Sequence, residues 1–183
     1  MRLAPIPIFY HLNPKDLLKY SALSSKTTHS SAQCIDACIY MSAIIAAAIN
    51  GMSKEEILSR DLVKNFYKAE PIKLDDTISE ILDGSFKIKQ PPKIYGSGYV
   101  VRTLEAALWA FYNTSDFESG ALKVVNLGDD ADTTGAVYGQ IAGAYYGVES
   151  IPKKWKEKIY RNLEIEIISE SLYNLGNKLN TKN

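Results

Sequence analysis

Three carboxylates fall within four residues, at Asp129, Asp130 and Asp132, and Thr133 follows directly. Carboxylates so close repel one another unless a helix N-terminus, hydrogen bonds or a cation offsets the repulsion. Two arrangements meet that need. In one, an aspartate caps the following helix by accepting its orphan N–H groups, and its neighbours face water. In the other, the Asp-x-Asp-Thr run offers two anionic oxygens and a hydroxyl at a loop-to-helix turn, the ligand class that Mg2+ prefers. Three such ligands make half an octahedron, so water, substrate or another part of the fold must supply the rest.

The helix predicted after this turn carries Gly135, Gly139, Gly143 and Gly147, a four-residue spacing that lays a stripe without side chains along one face. Each interior glycine costs about 0.8–1 kcal/mol relative to alanine. The stripe therefore predicts close packing against another backbone, which would hold the acidic turn rigid. Elsewhere apolar residues recur at three and four rather than two, so the chain reads as all-α. Asn13-Pro14 opens a short helix through Tyr20, and Ser30 or Ser31 opens a longer one ending at Gly51. Ser53 to Glu56 is a capping box for a helix running to about Ala69 and closed by Pro71. Asp75 or Asp76 starts a short helix ending at Gly84, and Lys87 to Pro92 is the best linker candidate. Helices follow at Val101 to Tyr112, after Ser115-Asp116-Phe117-Glu118, after Ile151-Pro152, and at about Glu164 to Leu179, before a polar tail at 180–183. One domain of 183 residues is expected.

Composition excludes several classes. Twenty-one Lys and Arg balance twenty-one Asp and Glu, with no run of like charge, so no nucleic-acid partner is expected. The most apolar stretch, Ala37 to Ile49, is several residues short of the ~20 that cross a bilayer and reads as a core helix. No membrane partner is expected. The prolines at positions 5 and 7 break the apolar helical run that a signal peptide needs. Cys34 and Cys38, one helical turn apart with no second pair, read as buried structural thiols in a reducing cytoplasm.

The residues also resemble a known family. Ser97-Gly98-Tyr99-Val100-Val101, Thr103 to Trp109, Asn126 to Thr133, and Gly143-Ala144-Tyr145-Tyr146-Gly147, followed by Ile151-Pro152 and Trp155, are similar to the ADP-ribosylglycohydrolases. The Thr28-His29 pair resembles a further element of that family. The resemblance implies a compact all-α multi-helix bundle that hydrolyses the glycosidic bond between ADP-ribose and a protein or small-molecule acceptor. It implies two Mg2+ or Mn2+ ions, with Asp130, Asp132 and Thr133 among their ligands. It also implies an ADP-ribose pocket lined by His29, Ser97, Gly98 and Tyr99. Read from the residues alone, His29 is equally a cap or surface residue, and Tyr99 either stacks on adenine or belongs to the core.

The chain also departs from the family. Members open with a Gly-rich segment and a Thr-Asp-Asp-Thr motif that supplies the other metal ligands, whereas Met1 to Pro5 resembles a stretch well inside such proteins. Leu74-Asp75-Asp76-Thr77 stands out of family order and reads as a helix cap. The resemblance thus implies an N-terminally truncated domain holding half of a dinuclear site, which binds one ion or none. Activity would require complementation by the missing segment. The alternative is an inactive relative that serves as an ADP-ribose-binding or protein-interaction module, self-associating through surface the lost segment would cover.

Overall fold

Capping side chains stand at the helix starts of the computed structural model, which describes residues 1–67 and 73–180. Asn13, Ser31, Ser53, Asp75 and Asp116 each accept a hydrogen bond from a first-turn backbone N–H. Ser53 and Glu56 form the expected capping box. The described helices are α1 (Pro5–Tyr10), α2 (Pro14–Lys26), α3 (Ala32–Ile49), α4 (Lys54–Ile57), α5 (Leu62–Tyr67) and α6 (Asp76–Leu82). They continue with α7 (Ser85–Ile88), α8 (Val100–Tyr112), α9 (Phe117–Val125), α10 (Ala131–Tyr146), α11 (Lys153–Lys156) and α12 (Asn162–Asn180). No strand occurs among the described residues, so the fold is all-α as expected.

Helix α3 is the centre. Tyr40, Ala43, Ile44, Ala46 and Ala47 are fully buried, and α1, α2, α8 and α10 pack around it. It is the one helix among the described residues that has the length and composition to cross a membrane. Its residues from Ile39 to Ala48 are instead enclosed by its neighbours, as the core-helix reading requires. Helix α10 lies against α3, α8 and α9 through Thr134, Val137, Tyr138, Ile141 and Ala142. The far ends of α8 and α10 are tied together by Lys54. Its Nζ donates to Phe111 O (2.9 Å), Thr114 O (2.7 Å) and the Tyr146 hydroxyl (2.6 Å). Burial lowers the ammonium pKa, with Asp116 opposing, and burial pushes the Tyr146 hydroxyl up to about 12.

Four expectations need correction. Pro5 and Pro7 do not break a helix but begin one: both lie in the first turn of α1, where a missing N–H costs no intrahelical bond. The helix from Ser53 stops at Ile57 and resumes at Leu62; its expected close at Ala69 and Pro71 lies outside the described residues. Ile57, Leu58, Leu62 and Val63 are all buried, and one continuous helix would spread them around too much of its circumference to reach a single core. The segment 87–92 is no linker. It includes the end of α7, and it is pinned by Lys87 Nζ to Leu58 O (2.8 Å), by Lys89 to Glu105 (2.7 Å) and by Gln90 to Trp109 (3.2 Å). Finally, the glycine stripe of α10 does not meet another backbone. Side chains added at Gly139 and Gly143 would find nothing within 4 Å, and only Gly135 approaches a neighbour, Val125. Close packing occurs instead at Gly120, against Tyr138, and at Gly176, against the Phe9 main chain.

Candidate functional site

The first turns of three long helices, α3, α8 and α10, line one cavity of about 650 Å³, which continues along the α3 flank at Ala37, Cys38 and Met41. Ser31, Gln33 and Cys34 line it from the start of α3, Gly98, Tyr99 and Val100 from the start of α8, and Asp130 and Thr133 from the start of α10. Residues 1–3 and the end of α2 close another side, with Arg2, Ser24, Thr28 and His29. Helix N-termini carry unpaired N–H groups and the positive end of the macrodipole, so their convergence favours an anionic ligand.

The acidic turn is built by two consecutive residues of positive φ, Gly128 (76°) and Asp129 (52°). Asp130 then occupies the N-cap of α10, yet its side chain makes no capping bond. Instead the Thr134 hydroxyl donates back to Asp130 O (2.8 Å). Capping therefore does not account for the Asp130 carboxylate, which faces the cavity. Asp132 is exposed in the first turn and does not line the cavity, whereas Thr133 does.

The segment 96–99 abuts this turn. A Cβ at Gly96 would come within 2.9 Å of Thr134 Oγ1 and 3.2 Å of Gly128 O, and one at Gly98 within 3.7 Å of Asp130 Oδ2. Only a residue without a side chain fits at Gly96. The Thr103 hydroxyl donates to Ser97 O, and Tyr99 N–H donates to Ser97 Oγ (3.2 Å). Ser97 thus holds the loop rather than lining the cavity. Tyr99 is exposed, so it is no core residue. Its hydroxyl donates to Gln33 Oε1 (2.8 Å), fixing the ring at the rim. As at α10, the N-cap of α8 has no side-chain capping bond.

His29 is exposed beside Thr28 Oγ1 (3.0 Å), and the cap of α3 is Ser31 instead. His29, Gly98, Tyr99, Asp130 and Thr133 thus meet in one cavity; Ser97 and Asp132 stand next to it. Cys34 and Cys38 are half-buried rather than buried, and both line the cavity, with burial raising the Cys38 thiol pKa. Sequence reasoning missed Arg2. Its guanidinium donates to Ser24 O (2.9 Å), to Thr28 Oγ1 (3.2 Å) and to Thr27 Oγ1, and it is a cation at the cavity edge. Nothing near Arg2 in the sequence marks it; the signal is wholly tertiary. A second residue of this kind is Gln140. Its Oε1 accepts from Ala4 N–H (3.0 Å) and its Nε2 donates to Met1 O, which clamps residues 1–4 onto α10.

The donors at the turn suit a hard cation in kind: two carboxylates and a hydroxyl. In number they are a partial set, because no group of three His, Cys, Asp or Glu side chains converges among the described residues.

Replacing Gly96 with alanine should push the 96–99 loop away from the acidic turn. A ligand that bridges the loop and the turn should then bind on the order of 10- to 100-fold more weakly, with the helical circular dichroism spectrum intact. Unchanged binding in a calorimetric titration would show that the loop and the turn are not one site.

The profile of the ADP-ribosylglycohydrolase family matches residues 1–181. An ADP-ribosylarginine hydrolase from Serratia proteamaculans is 36% identical over 173 residues, 94% of this chain and 45% of that protein. The ADP-ribosyl-[dinitrogen reductase] glycohydrolase of Rhodospirillum rubrum is 44% identical over 78 residues, 43% of this chain and 26% of that protein. A solved structure titled "ADP-ribosylglycohydrolase-related protein complex" superposes with a TM-score of 0.84 at 38% identity, covering 96% of this chain and 59% of that one. The chain spans about half the length of the curated relatives that match most of it. With its fold and its sequence in accord, the chain belongs to the ADP-ribosylglycohydrolase family.

Proposed function

We propose that the cavity binds ADP-ribose and serves hydrolysis of its glycosidic bond to an acceptor, with this chain supplying part of the catalytic site. The observation that carries this reading is the convergence of three helix N-termini on one cavity beside an uncapped Asp130 carboxylate. The diphosphate sits at the N-terminus of α8, where Gly98 adds no bulk and no side chain satisfies the first-turn N–H groups. Tyr99 offers its exposed ring to the adenine. Arg2 adds positive charge at the edge, and His29 lies within the same lining.

Asp130, Asp132 and Thr133 are the residues that would hold a Mg2+ or Mn2+ ion. When bound, such an ion supplies a Lewis acid that polarises oxygens and orients ribose hydroxyls. Hydrolysis would break the bond between the anomeric carbon and the acceptor through an oxocarbenium-like transition state, water supplying OH to the carbon and a proton to the departing acceptor, with the Asp130 carboxylate the anionic group that faces the cavity. The name of the Serratia relative makes ADP-ribosylated arginine the first substrate to try.

The partial donor set favours one other reading, a module that binds ADP-ribose without cleaving it. The test is calorimetric titration of ADP-ribose with and without Mg2+, paired with release of ADP-ribose from an ADP-ribosylated arginine protein. We expect Mg2+-enhanced binding whose enhancement disappears in Asp130→Ala. Binding without release supports the module. ADP-ribose binding that is absent, or indifferent to both Mg2+ and Asp130→Ala, overturns the site.

A further inference from the structure

Helix α12 meets the rest of the described chain along one edge. Gly176 lies against the Phe9 main chain, Tyr173 stacks on buried His11 at 4.9 Å, and α1 is its principal neighbour. Beside that edge runs a second apolar stripe of Ile165, Ile168, Leu172, Leu175 and Leu179. Ile165, Ile168, Leu175 and Leu179 are 48 to 60% exposed, and Leu172 is half-buried. At 100° per residue the five fall within roughly 80° of the helix circumference. Their separations are three, four, three and four residues, the seam spacing of a two-stranded coiled coil. That spacing fits another helix.

We propose that α12 pairs with α12 of a second copy of this chain, antiparallel, to form a dimer. The charges select both occupant and direction. With Ile165, Leu172 and Leu179 as a positions and Ile168 and Leu175 as d positions, Glu164 and Lys178 both fall at g. Glu164, Glu166 and Glu170 make the first half of α12 acidic, and Lys178 is the cation of its described second half. An antiparallel pair sets Ile165 opposite Leu175 of the second copy and Ile168 opposite its Leu172. The same register brings Glu164 beside Lys178 at both ends, whereas a parallel pair sets Glu164 at g beside the uncharged Ser169 at e and gains no such contact. In the monomer Glu164 meets Arg161 in an exposed pair, which costs little to exchange. Five aliphatic side chains make a short seam beside the ~800 Å² per partner of a standard interface. The dimer is therefore a weak one, reversible at roughly micromolar concentration.

Sedimentation equilibrium of the full chain across the micromolar range tests this directly. We expect a monomer–dimer equilibrium that Leu175→Lys weakens at least tenfold, with helicity and ADP-ribose titration as checks that an exposed substitution left the fold intact. Glu164→Lys and Lys178→Glu should each weaken the dimer, and the two together should restore it. A monomer at every concentration, or a dimer that survives Leu175→Lys, overturns the proposal. A double charge exchange that fails to restore association overturns the antiparallel register.

Discussion

Glu105→Ala should destabilise the fold by about 3–5 kcal/mol, the range for removing one partner of a buried ion pair. The Glu105 side chain is 2% exposed. Lys89 Nζ lies 2.7 Å from one of its oxygens and Arg102 Nη1 3.0 Å from the other, and the Ser85 hydroxyl also donates to it. Removing the carboxylate leaves two cations and a hydroxyl without their shared acceptor, and it leaves Gln90 to Trp109 as the polar tie described above between the 87–92 segment and α8. Urea denaturation should show the loss, with the melting temperature falling by about 10 °C or more. Glu105→Gln keeps the shape and an acceptor for Ser85 but loses the charge, so it should fall between the two. A change below about 1 kcal/mol in Glu105→Ala would mean that the network is an ordinary surface pair.

Gly120→Ala should cost about 3 kcal/mol, the upper end of overpacking effects. A Cβ at this position would overlap the Tyr138 hydroxyl and Cζ and stand 2.7 Å from Thr114 Oγ1. Tyr138 is fully buried, and its hydroxyl donates to Phe117 O (3.1 Å), so the ring has no free direction in which to retreat. The strain must pass into the α9–α10 packing and from there to the acidic turn two helical turns before Tyr138. Stability and the proposed ADP-ribose affinity should therefore fall together. In combination with Tyr138→Phe, which removes the hydroxyl from the overlap, the cost should be clearly less than the sum of the two single changes. Strict additivity would place the strain elsewhere.

Much of the fold was legible because its signals are local. Asn13, Ser31, Ser53, Asp75 and Asp116 cap helices through backbone groups only two or three residues away, so residue type and spacing suffice to find them. What escaped depends on distant neighbours. The break after Ile57 exists because four apolar side chains must reach one core. The basic segment around Lys89 resembles a linker until Glu105, sixteen residues on, supplies its buried counter-charge. The glycine run of α10 is plain in sequence, but only the fold shows that Gly139 and Gly143 face away from other helices. For the site, sequence reasoning reached Asp130, Thr133, Gly98, Tyr99 and His29 through family resemblance. It left capping and cation binding open for the acidic cluster, and the lack of any side-chain capping bond from Asp130, the N-cap of α10, removes the capping account there. Arg2 carried no local mark at all.

The Gln140 clamp has a practical consequence. Because that amide holds the first residues on α10 and Met1 borders the cavity, any purification handle or fluorescent reporter fused ahead of Met1 is delivered to the cavity mouth. An assay on such a fusion would read the handle's obstruction as weak affinity, so comparisons between variants belong on protein that carries no handle at that position.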